Sequence, residues 1–150
     1  MHKFLLTAYF FLNFYLAGVF VIEIEVNYRT WLLIGPDEFP LYHQTLVKLL
    51  YPSMLVPLAF AGILSWLMVI LPAFKNYRRL FLTHAVLITA FSVISLTLMV
   101  PLHNQLSQAY DAEIIRQLIF RSAVFRLPFQ VAMAGINMYL LFQFFGKGKF

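Results

Sequence analysis

The chain has 150 residues, of which 62% are apolar and only 11% are charged. A soluble domain usually carries about 25% charged residues, so the composition indicates a membrane protein and excludes an ordinary soluble globular domain. The sequence contains no cysteine, which excludes disulfide bonds, thiolate metal sites and a cysteine nucleophile. The formal charge of +5 comes from bases that are scattered or flank apolar runs, which favours a role in membrane orientation over nucleic-acid binding.

Four apolar stretches reach the length of about 20 residues that a transmembrane helix needs. Backbone groups in hydrocarbon must pair within their own segment, and the apolar runs are continuous rather than alternating, so we expect helices. The predicted fold class is therefore all-α, a single transmembrane domain over residues 1–150 built as a four-helix bundle. The predicted spans are about 4–24, 50–71, 80–102 and 122–145, and the outer segments are 25–49 and 103–121.

Basic residues at the ends of the spans predict the orientation, since short loops rich in Lys and Arg stay in the cytoplasm. The connection between the second and third spans and both termini carry only basic charge, whereas all six acidic residues fall on the other side. The bases divide almost evenly, and the six on the inner side are Lys3, Lys75, Arg78, Arg79, Lys147 and Lys149. We therefore predict that both termini face the cytoplasm, in a multi-pass protein of the bacterial inner membrane.

In chain order, the first span begins with His2 and Lys3, which is also typical of a signal peptide. Its apolar run is longer than a usual signal-peptide core, and no clear A-x-A cleavage site follows, so a membrane span is the better interpretation. Tyr28 and Trp31, just beyond the span, are expected in the aromatic belt at the membrane surface.

Each outer segment is expected to contain the start of a helix. After a break at residues 35–36, Asp37 is suited to cap a helix that enters the second span, and Asp111 is suited to cap a helix that enters the fourth. The acidic side chains also suit the positive end of the helix dipole. Pro52 and Pro57 are expected to bend the helix of the second span.

Glu23 and Arg126 are the charged residues with the most unusual predicted depth. At about 1.5 Å per residue, Glu23 lies ~13 Å from the centre of the first span and Arg126 roughly 10 Å from the centre of the fourth. A charge at such depth is costly and normally finds a partner or extends to the surface. We therefore hypothesise a Glu23–Arg126 ion pair. The alternative places Glu23 among lipid headgroups and lets Arg126 reach the outer surface alone.

Uncharged polar residues form stripes along the third and fourth spans. Gln130 and Asn137 follow Arg126 on one helical face, and Thr89 and Ser92 lie on a stripe of the third span that leads to His103. Small and hydroxylated residues suit close helix packing, which is the simplest interpretation of both stripes. The functional alternative makes these four residues ligand-binding walls of a polar pocket that opens toward the outer side.

His43 and His103 both lie on the outer side and are candidate catalytic or ligating residues, since imidazole binds metals and moves protons near neutral pH. With Glu23 they form a possible two-His, one-carboxylate metal set, and Arg126 completes the candidate catalytic group. The alternative is that both histidines are structural. The sequence requires no cofactor and leaves a metal ion or a haem open. His84 is about 28 Å from His103 along the helix, so one small site cannot contain both.

At the two histidine motifs the chain resembles a group of uncharacterised bacterial four-helix integral membrane proteins. More loosely, its layout is similar to small membrane proteins related to anthrone oxygenases. The matching positions are Trp31, Phe39-x-x-Tyr42-His43, Pro57, Pro101-Leu102-His103-x-x-Leu106, Asp111 and Leu118-Ile119. In the fourth span the group tends to show Asn-Trp-x-Arg-Thr, of which only Arg126 is present here. The resemblance implies a four-helix topology and importance for His43, His103 and Arg126, and it implies no established reaction.

These features leave three functional classes open. The first is a binding or accessory subunit of a larger membrane assembly with an outer-leaflet polar pocket, because the chain is small and lacks a strong catalytic motif. The second is a small membrane enzyme, similar to an oxidoreductase or oxygenase, that acts on a hydrophobic substrate. A transporter or channel is the third, and the lack of a charged stripe through the membrane argues against it. The expected partners are membrane lipid, other membrane subunits or further copies of the chain, and a hydrophobic small molecule.

Overall fold

The computed structural model describes residues 2–146. Regular structure in this range is entirely helical, and four of the helices are long and apolar enough to cross a membrane. We number them in chain order, with shorter helical segments merged: α1 is His2–Trp31, α2 is Phe39–Ile70, α3 is Pro72–Leu106 and α4 is Ala112–Phe145. The predicted all-helical class is therefore confirmed, with four helices that are long and apolar enough to span a membrane, and each helix extends beyond the predicted apolar stretch at one end or both.

Short connections make successive helices antiparallel, so the charged residues collect at two ends of the bundle. We call the end that contains all six acidic residues the acidic end, and the opposite end the basic end. The basic end carries Lys3, Lys75, Arg78 and Arg79 of the described residues. Lys147 and Lys149, which the orientation prediction also uses, lie outside the described residues.

The two predicted helix starts have different outcomes. Asp111 caps α4, because its side chain accepts hydrogen bonds from the backbone N–H groups of Glu113 and Ile114 at 2.8 and 3.2 Å. The expectation that Asp37 caps α2 is wrong. That helix begins at Phe39, its cap position is Glu38, and no side-chain hydrogen bond caps it.

Wide π-type turns interrupt each of the four helices, at Glu23–Asn27, Tyr51–Leu55, Ser95–Met99 and Ser122–Arg126. Three of them end two residues before a proline, namely Pro57, Pro101 and Pro128. A proline inside a helix has no N–H, and its ring clashes with the carbonyl four residues earlier, which a wider turn relieves. Such turns change the face of the helix on which a side chain lies. The four turns contain Glu23, Ser95, Ser122 and Arg126.

Apolar and aromatic side chains fill the bundle at both ends. At the acidic end, Tyr28 and Trp31 are almost completely buried in a cluster with Phe39 and with residues of α3 and α4. The expectation that these two aromatic residues lie in a belt at the membrane surface is therefore wrong, because α1 continues past the apolar stretch and turns them inward. Large apolar side chains such as Phe11, Ile63 and Phe142 are more than 60% exposed, as suits helices that face lipid.

Candidate functional site

His43 of α2 and His103 of α3 meet at the acidic end of the bundle. Nε2 of His43 lies 3.1 Å from Nδ1 of His103, and the two rings stack with centroids 5.3 Å apart. Trp31 packs edge-on against both imidazoles, at 5.0 and 5.7 Å between ring centroids. The structure thus brings together the two histidines that the sequence singled out, inside the bundle rather than at its surface.

A chain of hydrogen bonds extends from this pair to the other two helices. His103 Nε2 lies 3.1 Å from the hydroxyl of Tyr28, and Arg126 Nη1 donates to the same hydroxyl at 3.0 Å. At the other end, His43 Nδ1 lies 2.9 Å from Oγ of Ser107. Residues from all four helices and the connection after α3 therefore form one continuous polar chain.

The direction of the chain follows from the chemistry of its members. A guanidinium only donates, so the Tyr28 hydroxyl accepts from Arg126, and its own proton is available for Nε2 of His103. A neutral His103 then carries its proton on Nδ1 and donates to His43, whose own Nδ1 proton goes to Ser107. Ser107 in turn donates to the backbone carbonyl of His103 at 3.0 Å. Every imidazole nitrogen thus has a partner with both histidines neutral.

Arg126 is held deep in the bundle by two aromatic rings and two hydroxyls. Its guanidinium carbon lies 4.9 Å from the ring centre of Phe20 and 5.4 Å from that of Phe91, which are cation–π distances. Nη1 also approaches Oγ of Ser122 at 3.4 Å. The Nε–H, by contrast, is buried and has no hydrogen-bond partner. The Nε–H of Arg126 is therefore a buried donor that could bind an acceptor.

Glu23 lies near this group without touching Arg126 directly. Its Oε2 accepts a hydrogen bond of 2.6 Å from Nδ2 of Asn27, and its Oε1 is buried without a partner. The ion pairs found within residues 2–146 are both elsewhere, so the hypothesised direct Glu23–Arg126 pair is not formed. The two side chains lie close enough to interact electrostatically, and both lie near Tyr28. The predicted proximity is thus present, while Tyr28 and Ser122 occupy the guanidinium.

A cavity of about 320 Å³ lies against this group, and we call it the lateral cavity. Tyr28, His103 and Arg126 form its polar end, and apolar side chains of α2 and α3 form most of its walls. Leu55 and Leu96 line the cavity and are also exposed on the bundle surface, so it opens sideways between α2 and α3. Its full lining is Phe20, Tyr28, Met54, Leu55, Leu58, Ala59, Ser92, Ser95, Leu96, Met99, Val100, His103 and Arg126.

The four predicted ligand-binding residues fall into three places. Ser92 lines the lateral cavity, although its hydroxyl donates to the backbone carbonyl of Ile88. Thr89 lines neither this cavity nor the smaller one described below, and it accepts a hydrogen bond from Trp66 at 3.2 Å. Gln130 and Asn137 line the smaller cavity. The structure therefore does not bring these four residues into one site.

The smaller cavity, of about 30 Å³, lies deeper in the bundle and is lined by Asn13, Gln130 and Asn137 among others. Asn137 is fully engaged: it accepts from the Tyr9 hydroxyl at 2.7 Å, and its amide nitrogen lies 3.1 Å from Nε2 of His84. The side-chain amide of Gln130 is buried, and both its polar atoms lack a partner. Close helix packing explains Asn137 well and leaves Gln130 unexplained.

The predicted metal set is not assembled. Within the described part of the chain, no three His, Asp or Glu side chains are grouped closely enough to hold a metal ion together. His43 and His103 direct nitrogens at each other and at neighbouring hydroxyls, and Glu23 is bound by Asn27 instead of joining them. The arrangement suits hydrogen bonding and proton transfer rather than three-ligand metal coordination.

Several members of the site were not predicted from the sequence. Tyr28 and Ser107 complete the chain of hydrogen bonds, and Ser95 contributes a buried hydroxyl without a partner to the lateral cavity. No spacing signal pointed to Tyr28, since it follows Glu23 by five residues, and close to one and a half helical turns would place it on the opposite face of a regular helix. The wide turn at Glu23–Asn27 is what places it toward His103.

Comparison of the chain with protein-family models, with curated proteins and with solved structures finds no match. The resemblance at the two histidine motifs therefore stays a prediction, and the function must be argued from the geometry.

Proposed function

We propose that this chain is a multi-pass membrane protein that binds a hydrophobic small molecule with an oxygen-bearing head group in the lateral cavity. The observation that carries the proposal is the composition of that cavity. Its apolar walls open between α2 and α3, and its polar end includes Arg126, whose buried Nε–H has no partner.

Cavity size and lining support a small-molecule ligand. About 320 Å³ falls at the lower end of the range for ligand pockets, roughly 300–1,000 Å³. Such pockets are mostly apolar with a few placed polar groups, which is also the composition here. A ring-sized head group fits inside, while a hydrocarbon tail extends through the opening between Leu55 and Leu96.

Two buried donors at the polar end support an acceptor oxygen on the ligand. The Nε–H of Arg126 and the hydroxyl of Ser95 both lack a partner and both belong to residues that line the cavity. A buried donor without a partner costs about 1–3 kcal/mol, so a ligand oxygen that reaches either donor recovers that energy. This is the chemical basis for an oxygen-bearing head group.

The sideways opening supports access from the bilayer. We propose that the basic end faces the cytoplasm of a bacterial cell and that the acidic end, with the lateral cavity, lies in the outer half of the inner membrane. Lys75, Arg78 and Arg79 in one short connection support this orientation. A hydrophobic ligand dissolved in the outer leaflet then reaches the cavity without crossing water.

The proposal covers a binding protein or an accessory subunit of a membrane assembly. The hydrogen-bonded chain from Ser107 to Arg126 favours a second candidate, a small membrane enzyme of the oxidoreductase or oxygenase type. In that role Arg126 holds an oxygen of a hydrophobic substrate, and His43, His103 and Tyr28 pass a proton between that site and Ser107. The two candidates share the cavity and differ in whether the bound molecule changes.

Filling the cavity tests the binding proposal. Ala59→Phe places a ring at the wall, and Ile63→Phe, one helical turn further along α2, is a matched control on an exposed residue outside the lining. Native mass spectrometry of the protein released from membranes is expected to show a bound lipid-like mass in the wild type and in Ile63→Phe, and to show it lost in Ala59→Phe. Equal occupancy in all three proteins would contradict the proposal.

A further inference from the structure

We infer that Glu23 makes the lateral cavity selective for a neutral oxygen-bearing head group, such as a ketone or an ester, over an anionic one. The inference rests on the proposed function, since it concerns the ligand of that same cavity. It adds a specificity-determining residue that does not line the cavity itself. The selectivity depends on the net charge of the polar end and on which hydrogen-bond donors remain without a partner.

The described bundle buries one basic and one acidic side chain, and we infer that the acid is ionised because the two lie close enough to interact. Among residues 2–146, Arg126 and Glu23 are the Lys, Arg, Asp or Glu side chains that are almost completely buried, with 2% of each exposed. His43 and His103 are neutral in the hydrogen-bonded arrangement. A buried charge in low dielectric is stable only with a compensating charge nearby, and the two side chains compensate each other. The polar end of the cavity is therefore close to neutral before a ligand arrives.

Glu23 balances the charge of Arg126 without direct contact, and this has a second consequence. The Nε–H of Arg126 is left without a partner. A direct ion pair would occupy the guanidinium with carboxylate oxygens and close the site. Here Asn27 holds Oε2 of Glu23 at 2.6 Å, and the Tyr28 hydroxyl occupies Nη1 of Arg126 at 3.0 Å. The charge of Arg126 is balanced while its Nε–H stays open. Asn27 is thus the positioning residue that keeps Glu23 from closing the site.

A neutral and an anionic head group therefore differ in their free energy of binding to the polar end of the cavity. A carbonyl oxygen accepts from Nε–H of Arg126 and from Ser95 without changing the charge of the site. A carboxylate or phosphate makes the same hydrogen bonds but leaves the buried group with a net negative charge, because Glu23 already balances Arg126. In a medium of low dielectric this excess charge is disfavoured. The selectivity comes from Glu23, since Arg126 alone would favour the anion.

Two matched probes and two matched variants test the inference. The probes are a C12 fatty acid above its pKa and the methyl ketone of the same length, measured by equilibrium binding to the purified protein in nanodiscs of zwitterionic lipid. Glu23→Gln removes the buried charge, and Glu25→Gln is the control, because Glu25 is exposed and pairs with Arg29 at 2.9 Å. The wild type and Glu25→Gln are expected to prefer the ketone. Glu23→Gln is expected to shift the ratio of affinities toward the acid by about tenfold or more.

The outcomes separate this inference from the proposed function. If both probes bind and Ala59→Phe abolishes binding, but the wild type prefers the acid or Glu23→Gln leaves the ratio unchanged, the inference fails and the cavity assignment stands. If neither probe binds to the wild type, the cavity assignment fails and the inference fails with it. Should Glu23→Gln not fold, the wild-type preference decides: preference for the acid overturns the inference, and preference for the ketone supports it.

Discussion

His43 and His103 are 60 residues apart in the sequence, and their facing nitrogens lie 3.1 Å apart inside the bundle. The pair joins α2 to α3 at the end where those helices border the lateral cavity. Because Tyr28 and Arg126 extend the contact to α1 and α4, this group of side chains ties all four helices together by polar contacts. Its integrity should therefore affect stability as well as binding.

Removal of one hydroxyl tests the importance of the chain of hydrogen bonds. Tyr28→Phe leaves Nη1 of Arg126 and Nε2 of His103 without their shared partner, so we expect the free energy of unfolding to fall by about 2 kcal/mol. Tyr15→Phe is the matched control, since its hydroxyl donates to the carbonyl of Ser53 at 2.7 Å on the surface and should matter less. Thermal unfolding in detergent, followed by circular dichroism, measures both. Equal effects of the two changes would argue against a stabilising chain.

Loss of the side-chain amide should change the stability of the protein in opposite directions at Gln130 and Asn137. Gln130→Met replaces a buried amide without partners, so we expect the protein to become more stable by about 1 kcal/mol. Asn137→Leu removes the partner of both Tyr9 and His84, so we expect a loss of about 2 kcal/mol. Unfolding curves of the two variants beside the wild type measure the signs. Destabilisation by Gln130→Met would mean that the amide has a partner in the small cavity.

Single cysteines can test the proposed orientation, because the sequence contains no native cysteine. Gln108→Cys lies in the connection between α3 and α4 at the acidic end, and Asn76→Cys lies near the start of α3 at the basic end; both positions are exposed. With intact bacterial cells and a membrane-impermeant maleimide, we expect Gln108→Cys to react and Asn76→Cys to react only after the cells are opened. The reverse pattern would invert the orientation.

The sequence predicted the parts of this structure that depend on composition and depth. Long apolar runs give the four helices, and Asp111 caps α4 because a carboxylate before a helix satisfies free N–H groups. Depth along the helix also predicted that Glu23 and Arg126 would lie near each other. The sequence could not predict how far each helix is rotated about its axis, and therefore which residues face the interior. The wide turn at Glu23–Asn27 changes the face of the residues that follow it, so Tyr28 and Trp31 turn inward.

The orientation of side chains around each helix axis also explains which predicted residues meet in the site. The convergence of His43 with His103 required that both lie at the same end of the bundle, which topology supplies, and also that α2 and α3 direct them toward each other. The choice of partners depended on side chains a few ångströms away, and so Glu23 is bound by Asn27 instead of Arg126. No spacing rule could have predicted Ser107, which lies in the turn after α3 and reaches His43 through tertiary packing.

Arg126 also influences the tautomers of the two imidazoles, although it makes no hydrogen bond to either of them. Because a guanidinium can give protons to hydrogen bonds but cannot receive them, Arg126 suits the end of the row at which Tyr28 accepts a hydrogen bond and points its own proton onward. At the other end, Ser107 donates to the backbone carbonyl of His103 and accepts from His43, so the two ends favour the same order. The tautomers of both imidazoles are thus set from two sides, and the pair of histidines has one fixed polarity.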